Sequence, residues 1–145
     1  MQTIKWGPSF WSTLHFVAHG YPEKPTSLQR KQYSDYYKNT GNVLPCKYCR
    51  ESYKGFIKEL PVKNYLESRK KLTRWVYLLH NKVNSKLKGQ GYELDENPKF
   101  RDVCAFYEQF RASCSPSTMT CRTRESGKKK TGIVIRTTPR KEKHK

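Results

Sequence analysis

Residues 68–88 read S-R-K-K-L-T-R-W-V-Y-L-L-H-N-K-V-N-S-K-L-K and have the pattern of a long amphipathic helix. Apolar side chains recur at intervals of three and four residues, which places them on one helix face. They are Leu72, Val76, Leu79, Val83 and Leu87. Ser68 is a suitable N-cap, and Gly89 and Gly91 follow the last periodic residue, so both ends carry helix boundary signals. The segment predicts the longest helix of the chain.

Four other segments show helical patterns, and nothing in residues 1–111 alternates like a strand. The predicted helices cover residues 6–20, 26–39, 47–60 and 98–111. The predicted fold class is therefore all-α, a four-helix bundle with a short fifth helix, formed by residues 1–112.

From residue 113 onward the composition changes to Ser, Thr, Pro, Lys and Arg, with little apolar surface to bury. Residues 113–145 are therefore predicted to be a flexible, disordered, basic C-terminal tail.

The chain is strongly basic. Its 145 residues carry 30 Lys and Arg against 12 Asp and Glu, a net charge of +18. Residues 122–145 alone contribute +8. Such a tail can contact nucleic acid or another polyanion non-specifically through counterion release, although no sequence-reading module accompanies it.

Signals for export or membrane insertion are missing from the sequence. Residues 1–5 lead into Trp6 without the apolar core of a signal peptide. No apolar run approaches the roughly 18 residues that a membrane-spanning helix needs. We therefore expect a cytoplasmic protein with no membrane association.

The motif Pro45-Cys46-Lys47-Tyr48-Cys49 holds two of the five cysteines, separated by two residues. Pro45 and the polar helical run after the motif suggest that Cys46 opens a helix. A thiolate there is favoured by unpaired backbone N–H groups and by the positive end of the helix dipole. The motif therefore predicts a redox-active dithiol.

A second feature is a polar strip beside the apolar stripe of the long helix. His80, Asn81 and Asn84 share one helix face, and burying them is costly unless they are hydrogen-bonded. A polar heterocyclic ligand within the bundle would satisfy them. Trp11, His15 and Trp75 offer flat rings for stacking, although each alone is more often a core residue.

Three motifs occur in order: W-G-P-S-F-W-S-T-L-H at residues 6–15, P-C-K-Y-C at 45–49 and H-N-K-V-N-S-K-L at 80–87. Together they resemble the Erv/ALR family of FAD-linked sulfhydryl oxidases over residues 6–111. The resemblance implies a four-helix bundle with a short fifth helix, usually a homodimer, that binds FAD beside the C-x-x-C motif. It also implies the reaction, in which protein dithiol substrates and molecular oxygen give disulfides and hydrogen peroxide.

The resemblance implies roles for individual residues. Cys49 would face the flavin and form a thiolate–flavin charge-transfer pair, while Cys46 would exchange with the substrate. The residues that match FAD contacts of the family are Trp11, His15, His80, Asn81, Val83, Asn84 and Leu87. The further candidates near the cofactor are Gly7, Pro8, Tyr53, Lys86 and Lys88.

The sequence also departs from the family pattern. Many members have a structural disulfide whose positions appear here as Tyr77 and Leu94, so that bridge is absent. Many also carry a shuttle cysteine pair on an N-terminal arm, whereas only five residues precede Trp6. This compact N-terminus resembles forms encoded by large DNA viruses, which suggests a viral factory or virion as location, with the mitochondrial intermembrane space as the alternative.

Cys114 and Cys121 are candidates for the missing shuttle pair, since a short flexible loop can close between them at modest entropic cost. Alternatively, Cys104 pairs with Cys114 as a structural staple and leaves Cys121 unpaired. The connectivity of an odd number of cysteines cannot be deduced from sequence.

The principal alternative function is a basic, cysteine-containing protein that binds nucleic acid and is stabilised by zinc. A zinc site needs two ligands besides C-x-x-C, but the other cysteines form no second such motif and the histidines already fit the helix motifs. We therefore expect no metal.

Overall fold

The computed structural model describes the backbone of residues 1–115 and 120–123, and the side chains of residues 1–112. The helices are α1 (Thr3–His19), α2 (Ser27–Val43), α3 (Lys47–Glu59), α4 (Arg69–Gly89) and α5 (Phe100–Glu108), with a short 3-10 helix at Val62–Tyr65. Two strands follow, β1 (Ala112–Ser115) and β2 (Thr120–Thr123). The predicted all-α fold, a four-helix bundle with a short fifth helix, is confirmed, with the small strand pair as an addition.

The described residues divide into two compact units, Met1–Asn97 and a second unit that begins at Pro98. The first contains α1 to α4, and the second contains α5 and the strands. No helix among the described residues is long and apolar enough to cross a membrane.

Helix α4 supplies the centre of the first unit. Its N-cap is Ser68, whose hydroxyl accepts a hydrogen bond from the Lys71 N–H at 3.3 Å, as the sequence predicts. Leu72, Val76 and Leu79 are fully buried, but the predicted stripe does not stay in the core along its whole length. Val83 and Leu87 are half-buried and line an open cleft. The first half of this apolar face therefore packs in the core, and the second half lines the cleft.

Helix α1 begins earlier than predicted, at Thr3 instead of Trp6. No helix start signal marks this position in the sequence, and Gln2 at the N-cap makes no side-chain capping hydrogen bond. Pro8 therefore lies inside the helix instead of at its first position. It lacks an N–H, so the helix forgoes one backbone hydrogen bond at this point.

Helix α2 extends to Val43, past the predicted stop at Gly41. The glycine serves a close approach between helices instead of a helix end. A Cβ atom built on Gly41 would lie 2.4 Å from Cδ1 of Tyr53 on α3. Because only a residue without a side chain fits there, Gly41 permits the contact between α2 and α3.

Buried tyrosines tie the helices to one another through backbone carbonyls. Tyr53 on α3 donates its hydroxyl to the Tyr37 carbonyl on α2 at 2.7 Å. Tyr37 in turn donates to the Leu14 carbonyl on α1 at 3.0 Å. Trp75 of α4 packs edge-on against the Tyr37 ring and donates to the Leu60 carbonyl at 2.9 Å, so it is a core residue. Each bond pairs a buried polar group that would be costly to leave unpaired, so these bonds favour this packing of the helices over others.

The second unit differs from the sequence prediction at both ends. Helix α5 is shorter than the predicted 98–111, and it buries Val103 and Tyr107. Within the segment predicted as a tail, β1 and β2 pair as an antiparallel hairpin, which is an addition to the prediction. Composition alone misses such a pair, whose backbone groups satisfy each other. Residues 124–145, on which the predictions about the basic tail depend, lie outside the described residues.

We predict that Gly41→Ala lowers the free energy of unfolding by about 1–3 kcal/mol, because the new methyl group overpacks against the buried Tyr53 ring. Denaturant unfolding followed by circular dichroism measures this. The matched control is Gly55→Ala on α3, where a Cβ atom meets nothing within 4 Å. Its higher helix propensity should stabilise the protein by up to about 1 kcal/mol. Equal effects of the two substitutions would contradict the close-approach argument.

Candidate active site

The C-x-x-C motif forms the first turn of α3. Cys46 is the N-cap residue, and its Sγ accepts a hydrogen bond from the Cys49 N–H at 3.2 Å. The prediction that Cys46 opens a helix is therefore confirmed. The two sulfurs are joined as a disulfide, and both residues are half-buried. Cys49 packs against the hydrophobic core, whereas the residues flanking Cys46 are exposed, and Tyr48 is 73% exposed.

The disulfide forms part of the wall of a cleft of about 820 Å³. This volume lies within the roughly 300–1,000 Å³ that ligand sites occupy. Helices α1, α3 and α4 supply most of the wall. The sequence-predicted residues that line it are Gly7, Trp11, Cys46, Cys49, Tyr53, Val83, Asn84, Lys86 and Leu87. Residues predicted from three separate motifs thus converge on one cavity.

Behind Trp11, the cleft wall contains a buried pair of histidines. The Trp11 indole stacks on the His80 ring with centroids 4.0 Å apart and planes 7° apart. His80 Nδ1 and His15 Nε2 lie 3.3 Å apart and share a hydrogen bond. Burial lowers the pKa of His80 to about 4. Burial is the main cause that lowers the pKa of His15 well below its usual value, and electrostatic repulsion from the neighbouring His80 and His19 lowers it further. Both imidazoles are therefore neutral at pH 7.

Two nitrogen atoms, one on the cleft residue Trp6 and one on His80 behind Trp11, lack hydrogen-bond partners within the described part of the chain. They are Nε2 of His80, a residue only 5% exposed, and Nε1 of Trp6, which lines the cleft. A buried polar nitrogen without a partner is costly, and such groups are usually paired with a ligand or water when they persist. The wall is therefore suited to a ligand that carries polar atoms as well as aromatic surface.

Lys86 places positive charge at the cleft. It lines the cavity and hydrogen-bonds the Ser52 hydroxyl of α3. Asn84 lines the same wall, and its Nδ2 donates to Oδ1 of Asn97 at 2.7 Å, which links α4 to the segment after it. The cleft therefore has an apolar, aromatic lining and one cation, Lys86, that can neutralise an anionic group of a ligand.

Five of the predicted cofactor residues do not line the cleft in this structure. His15 and His80 are buried beneath Trp11 and are not among the residues that line the cavity. Pro8 and Asn81 are half-buried on their helices, and Lys88 is exposed near the end of α4. The motif pattern correctly places these residues on helices. It could not show that the Trp11 ring would lie over the His80 ring, because that depends on how two helices pack.

Several cleft residues were missed by sequence reasoning. They include Thr3, Trp6, Phe10, Tyr48, Ser52, Phe56 and Tyr92. Phe10 and Trp6 could have been found, because Phe10 lies three residues after the predicted residue Gly7 and four residues after Trp6, on the same face of the helix. Thr3 could not be found, since no residue near it signals the start of α1. Its Oγ1 lies 3.8 Å from Cys49 Sγ, at hydrogen-bonding distance for sulfur.

Within the described residues, no group of three or more His, Cys, Asp or Glu side chains is arranged to hold a metal ion. The two cysteines of the C-x-x-C motif are joined to each other. The arrangement can therefore exchange disulfides beside a ligand cleft.

Comparison with known proteins agrees with this geometry. Residues 8–110 match the Erv1 / Alr family. The chain is 35% identical over 103 residues to the mitochondrial FAD-linked sulfhydryl oxidase ERV1 of Saccharomyces cerevisiae, covering 71% of this chain and 48% of that protein. It is also 35% identical over 85 residues to a probable FAD-linked sulfhydryl oxidase of Acanthamoeba polyphaga mimivirus, covering 58% of this chain and 59% of the viral protein.

The solved structure of the yeast Erv1 core aligns with a TM-score of 0.62 at 30% identity, covering 75% of this chain and 82% of that one. The FAD-binding domain of yeast Erv1 aligns with the same TM-score at 31% identity, covering 74% of this chain and 91% of that one. The chain spans about half the length of the curated relatives it matches. On the family match over residues 8–110 and the shared helix bundle, the chain belongs to the Erv1 / Alr family.

Proposed function

We propose that this chain is an FAD-dependent sulfhydryl oxidase that forms disulfides in protein substrates and reduces molecular oxygen to hydrogen peroxide. One observation carries the proposal: a C-x-x-C disulfide forms the wall of a cleft large enough for a cofactor. Relatives named FAD-linked sulfhydryl oxidases support the same reading.

The cleft residues fit FAD. The two nitrogens that lack partners among the described residues, on His80 and Trp6, would pair with polar atoms of the cofactor. Trp11 and Tyr53 offer aromatic surface, and Lys86 would neutralise a phosphate. Val83, Asn84 and Leu87 complete the α4 side of the cleft. Gly7 presents backbone without a side chain, where a flat ring can approach closely.

Disulfide exchange would begin at Cys46, because its immediate neighbours are exposed. A substrate thiolate attacks Cys46 Sγ, a mixed disulfide forms, and Cys49 leaves as a thiolate. A second substrate thiolate then attacks the substrate sulfur of that mixed disulfide, and Cys46 leaves as a thiolate. The substrate has become a disulfide, and its two electrons reside on the Cys46–Cys49 dithiol.

Cys49 is the sulfur best placed to pass electrons inward, since it packs against the core beside the cleft. Its thiolate is favoured by the N-terminus of α3, where it occupies the third helical position. FAD, when bound, would supply the acceptor for the electron pair, and dioxygen would take up that pair together with two protons and leave as hydrogen peroxide.

A homodimer is part of the proposal. Phe16 on α1 and Leu28 and Tyr36 on α2 expose apolar side chains, with Leu28 65% exposed. Exposed large apolar groups on neighbouring helices suit a contact with a second copy. No observation among the described residues favours the alternative of a zinc-stabilised nucleic-acid-binding protein.

Purified protein should contain stoichiometric FAD and consume oxygen when given dithiothreitol. Cys46→Ser and Cys49→Ser should each abolish this consumption. Cys46→Ser should also leave Cys49 as a lone thiolate beside the flavin and add a long-wavelength absorbance band, whereas Cys49→Ser should not. Protein that stays colourless after refolding with excess FAD would overturn the proposed function, and a band in the opposite variant would reverse the two roles.

His80→Phe should weaken FAD binding about tenfold, since it keeps a ring beneath Trp11 but removes the buried Nε2. The dissociation constant is measured by flavin fluorescence on titration of the apoprotein. Asn84→Ala should weaken binding similarly by removing a polar group from the cleft wall. Lys63→Ala, an exposed substitution on the 3-10 helix, is the control and should leave the constant unchanged. Unchanged binding in His80→Phe would exclude this imidazole from the cofactor site.

Thr3→Val should slow the alkylation of Cys49 by iodoacetamide at pH 7 about threefold to tenfold in the Cys46→Ser background. The Thr3 hydroxyl would otherwise donate to the Cys49 thiolate, and one such hydrogen bond accounts for an effect of this size. Thr3→Ser keeps the hydroxyl and should restore the rate.

The control for Thr3 is Thr13→Val on the same helix, whose hydroxyl donates to the Ser9 carbonyl at 2.9 Å. It should not change the alkylation rate. A rate that falls equally in Thr3→Val and Thr3→Ser would assign Thr3 a packing role only.

A further inference from the structure

We propose that the exposed face of α3 binds an acidic segment of the protein substrate, which lies close to the two cysteines that the substrate presents to Cys46. The proposal names the class of substrate and rests on the proposed oxidase function. Its basis is a row of cations on α3, here termed the basic stripe. The stripe consists of Lys47, Arg50, Lys54 and Lys58.

The cations of the basic stripe share one face of the helix. Successive members are separated by three or four residues, which places their side chains in a row. The lysines of the stripe are exposed, whereas Tyr53 on another face is buried and Phe56 packs against the core. The row begins within the C-x-x-C motif and runs about 16 Å along the helix axis. The basic stripe therefore extends from the disulfide along the protein surface.

Little of this charge is neutralised by the protein itself. No member of the stripe forms an ion pair with a carboxylate of the described residues. Glu51 lies on the same side of α3 without such a pair, and Glu59 pairs instead with Lys82 of α4 at 2.6 Å. Arg50 donates to the Leu44 carbonyl at 2.6 Å, a bond that leaves the charge of the guanidinium in place. The stripe therefore outweighs the charge of Glu51 and stays positive.

Charge complementarity determines the kind of partner. The chain has a net charge of +18, and residues 122–145 alone contribute +8, so a second copy or the basic tail would be repelled by the stripe. An acidic segment would be attracted, and complementary charge both accelerates protein encounter and fixes its orientation. A polynucleotide would be attracted as well, but it carries no thiol for the disulfide at the end of the stripe. The favoured occupant is therefore an acidic segment of the dithiol protein.

Binding along the stripe would raise the local concentration of substrate thiols beside Cys46, because the exchange then takes place within one complex. An extended chain of about five residues spans the stripe, so acidic residues within that distance of the substrate cysteines can reach it. Each exposed ion pair is weak and contributes a factor of about two in affinity. Several pairs together therefore give a preference among substrates, while exchange with uncharged thiols continues.

Two reduced peptides test this preference. Each has a C-x-x-C pair with five residues on either side, and one carries Glu at the flanking positions where the other carries Gln. For native holoprotein at low salt, kcat/KM should be about tenfold higher for the Glu peptide. The excess should vanish near about 0.5 M sodium chloride, where charges are screened. Reaction of each peptide with glutathione disulfide corrects for differences in thiol reactivity. Equal corrected values at low salt would overturn the proposal.

A double variant tests whether the stripe is responsible. Lys54→Gln/Lys58→Gln removes two of its charges at positions that do not line the cleft. The excess for the Glu peptide should fall about fourfold, while turnover of uncharged dithiothreitol stays the same.

The matched control is Lys24→Gln/Lys70→Gln, which removes two exposed charges elsewhere. Lys70 lies in the first turn of α4, whereas the last turns of that helix line the cleft. This control should leave the preference unchanged. Equal losses in the two double variants would assign the preference to the net charge of the protein and overturn the stripe as its cause.

Dithiothreitol separates this proposal from the proposed function. If native chain oxidises dithiothreitol but does not prefer the Glu peptide, the stripe proposal fails alone. If dithiothreitol is not oxidised, the proposed function fails, and single-turnover oxidation of the two peptides by the Cys46–Cys49 disulfide under nitrogen, read by mass spectrometry, decides the stripe. Salt-sensitive binding of single-stranded DNA that Lys54→Gln/Lys58→Gln abolishes, together with equal kcat/KM for the two peptides, would assign the stripe to nucleic acid and overturn the proposal.

Discussion

The Tyr53 hydroxyl donates to the Tyr37 carbonyl, and the Tyr37 hydroxyl donates to the Leu14 carbonyl, so that two buried bonds join α3, α2 and α1 in series. The contact depends on Gly41, the residue against which the Tyr53 ring lies. Because Tyr53 follows Cys49 by one helical turn, the same bonds set the position of the dithiol relative to the bundle. The cleft depends on them as well, since α1 and α3 form two of its sides.

The features that could be predicted from the sequence are those with local causes. Ser68 caps α4, and Cys46 opens α3. The spacing of Leu72, Val76 and Leu79 predicts that these side chains share one buried helix face. Each of the three motifs lies on one helix or at its start, and each contributes residues to the cleft. For such features, one residue and its neighbours in the chain contain the necessary information.

The features that could not be predicted depend on contacts between distant segments. A glycine at the position of Gly41 is typical of a helix end, but its role is set by the Tyr53 ring on another helix. The start of α1 carried no capping signal, so the approach of Thr3 to Cys49 was missed. The hairpin is formed by backbone pairing, which cannot be predicted from a composition rich in Ser and Thr. The polyanion contact of the basic tail stays a prediction, because residues 124–145 lie outside the described part.

The buried imidazole beneath Trp11 also couples the fold to protons. His80 has a pKa of about 4 in the folded chain, against 6.5 for an ordinary histidine, so between these values the unfolded chain binds a proton that the folded chain does not. The stability that depends on neutral His80 is complete above pH 6.5 and is lost as the pH falls towards 4. The difference corresponds to on the order of 3 kcal/mol for this one ring. Burial of this neutral imidazole thereby makes the bundle acid-labile, and a ligand that pairs with the neutral nitrogen would deepen that proton linkage.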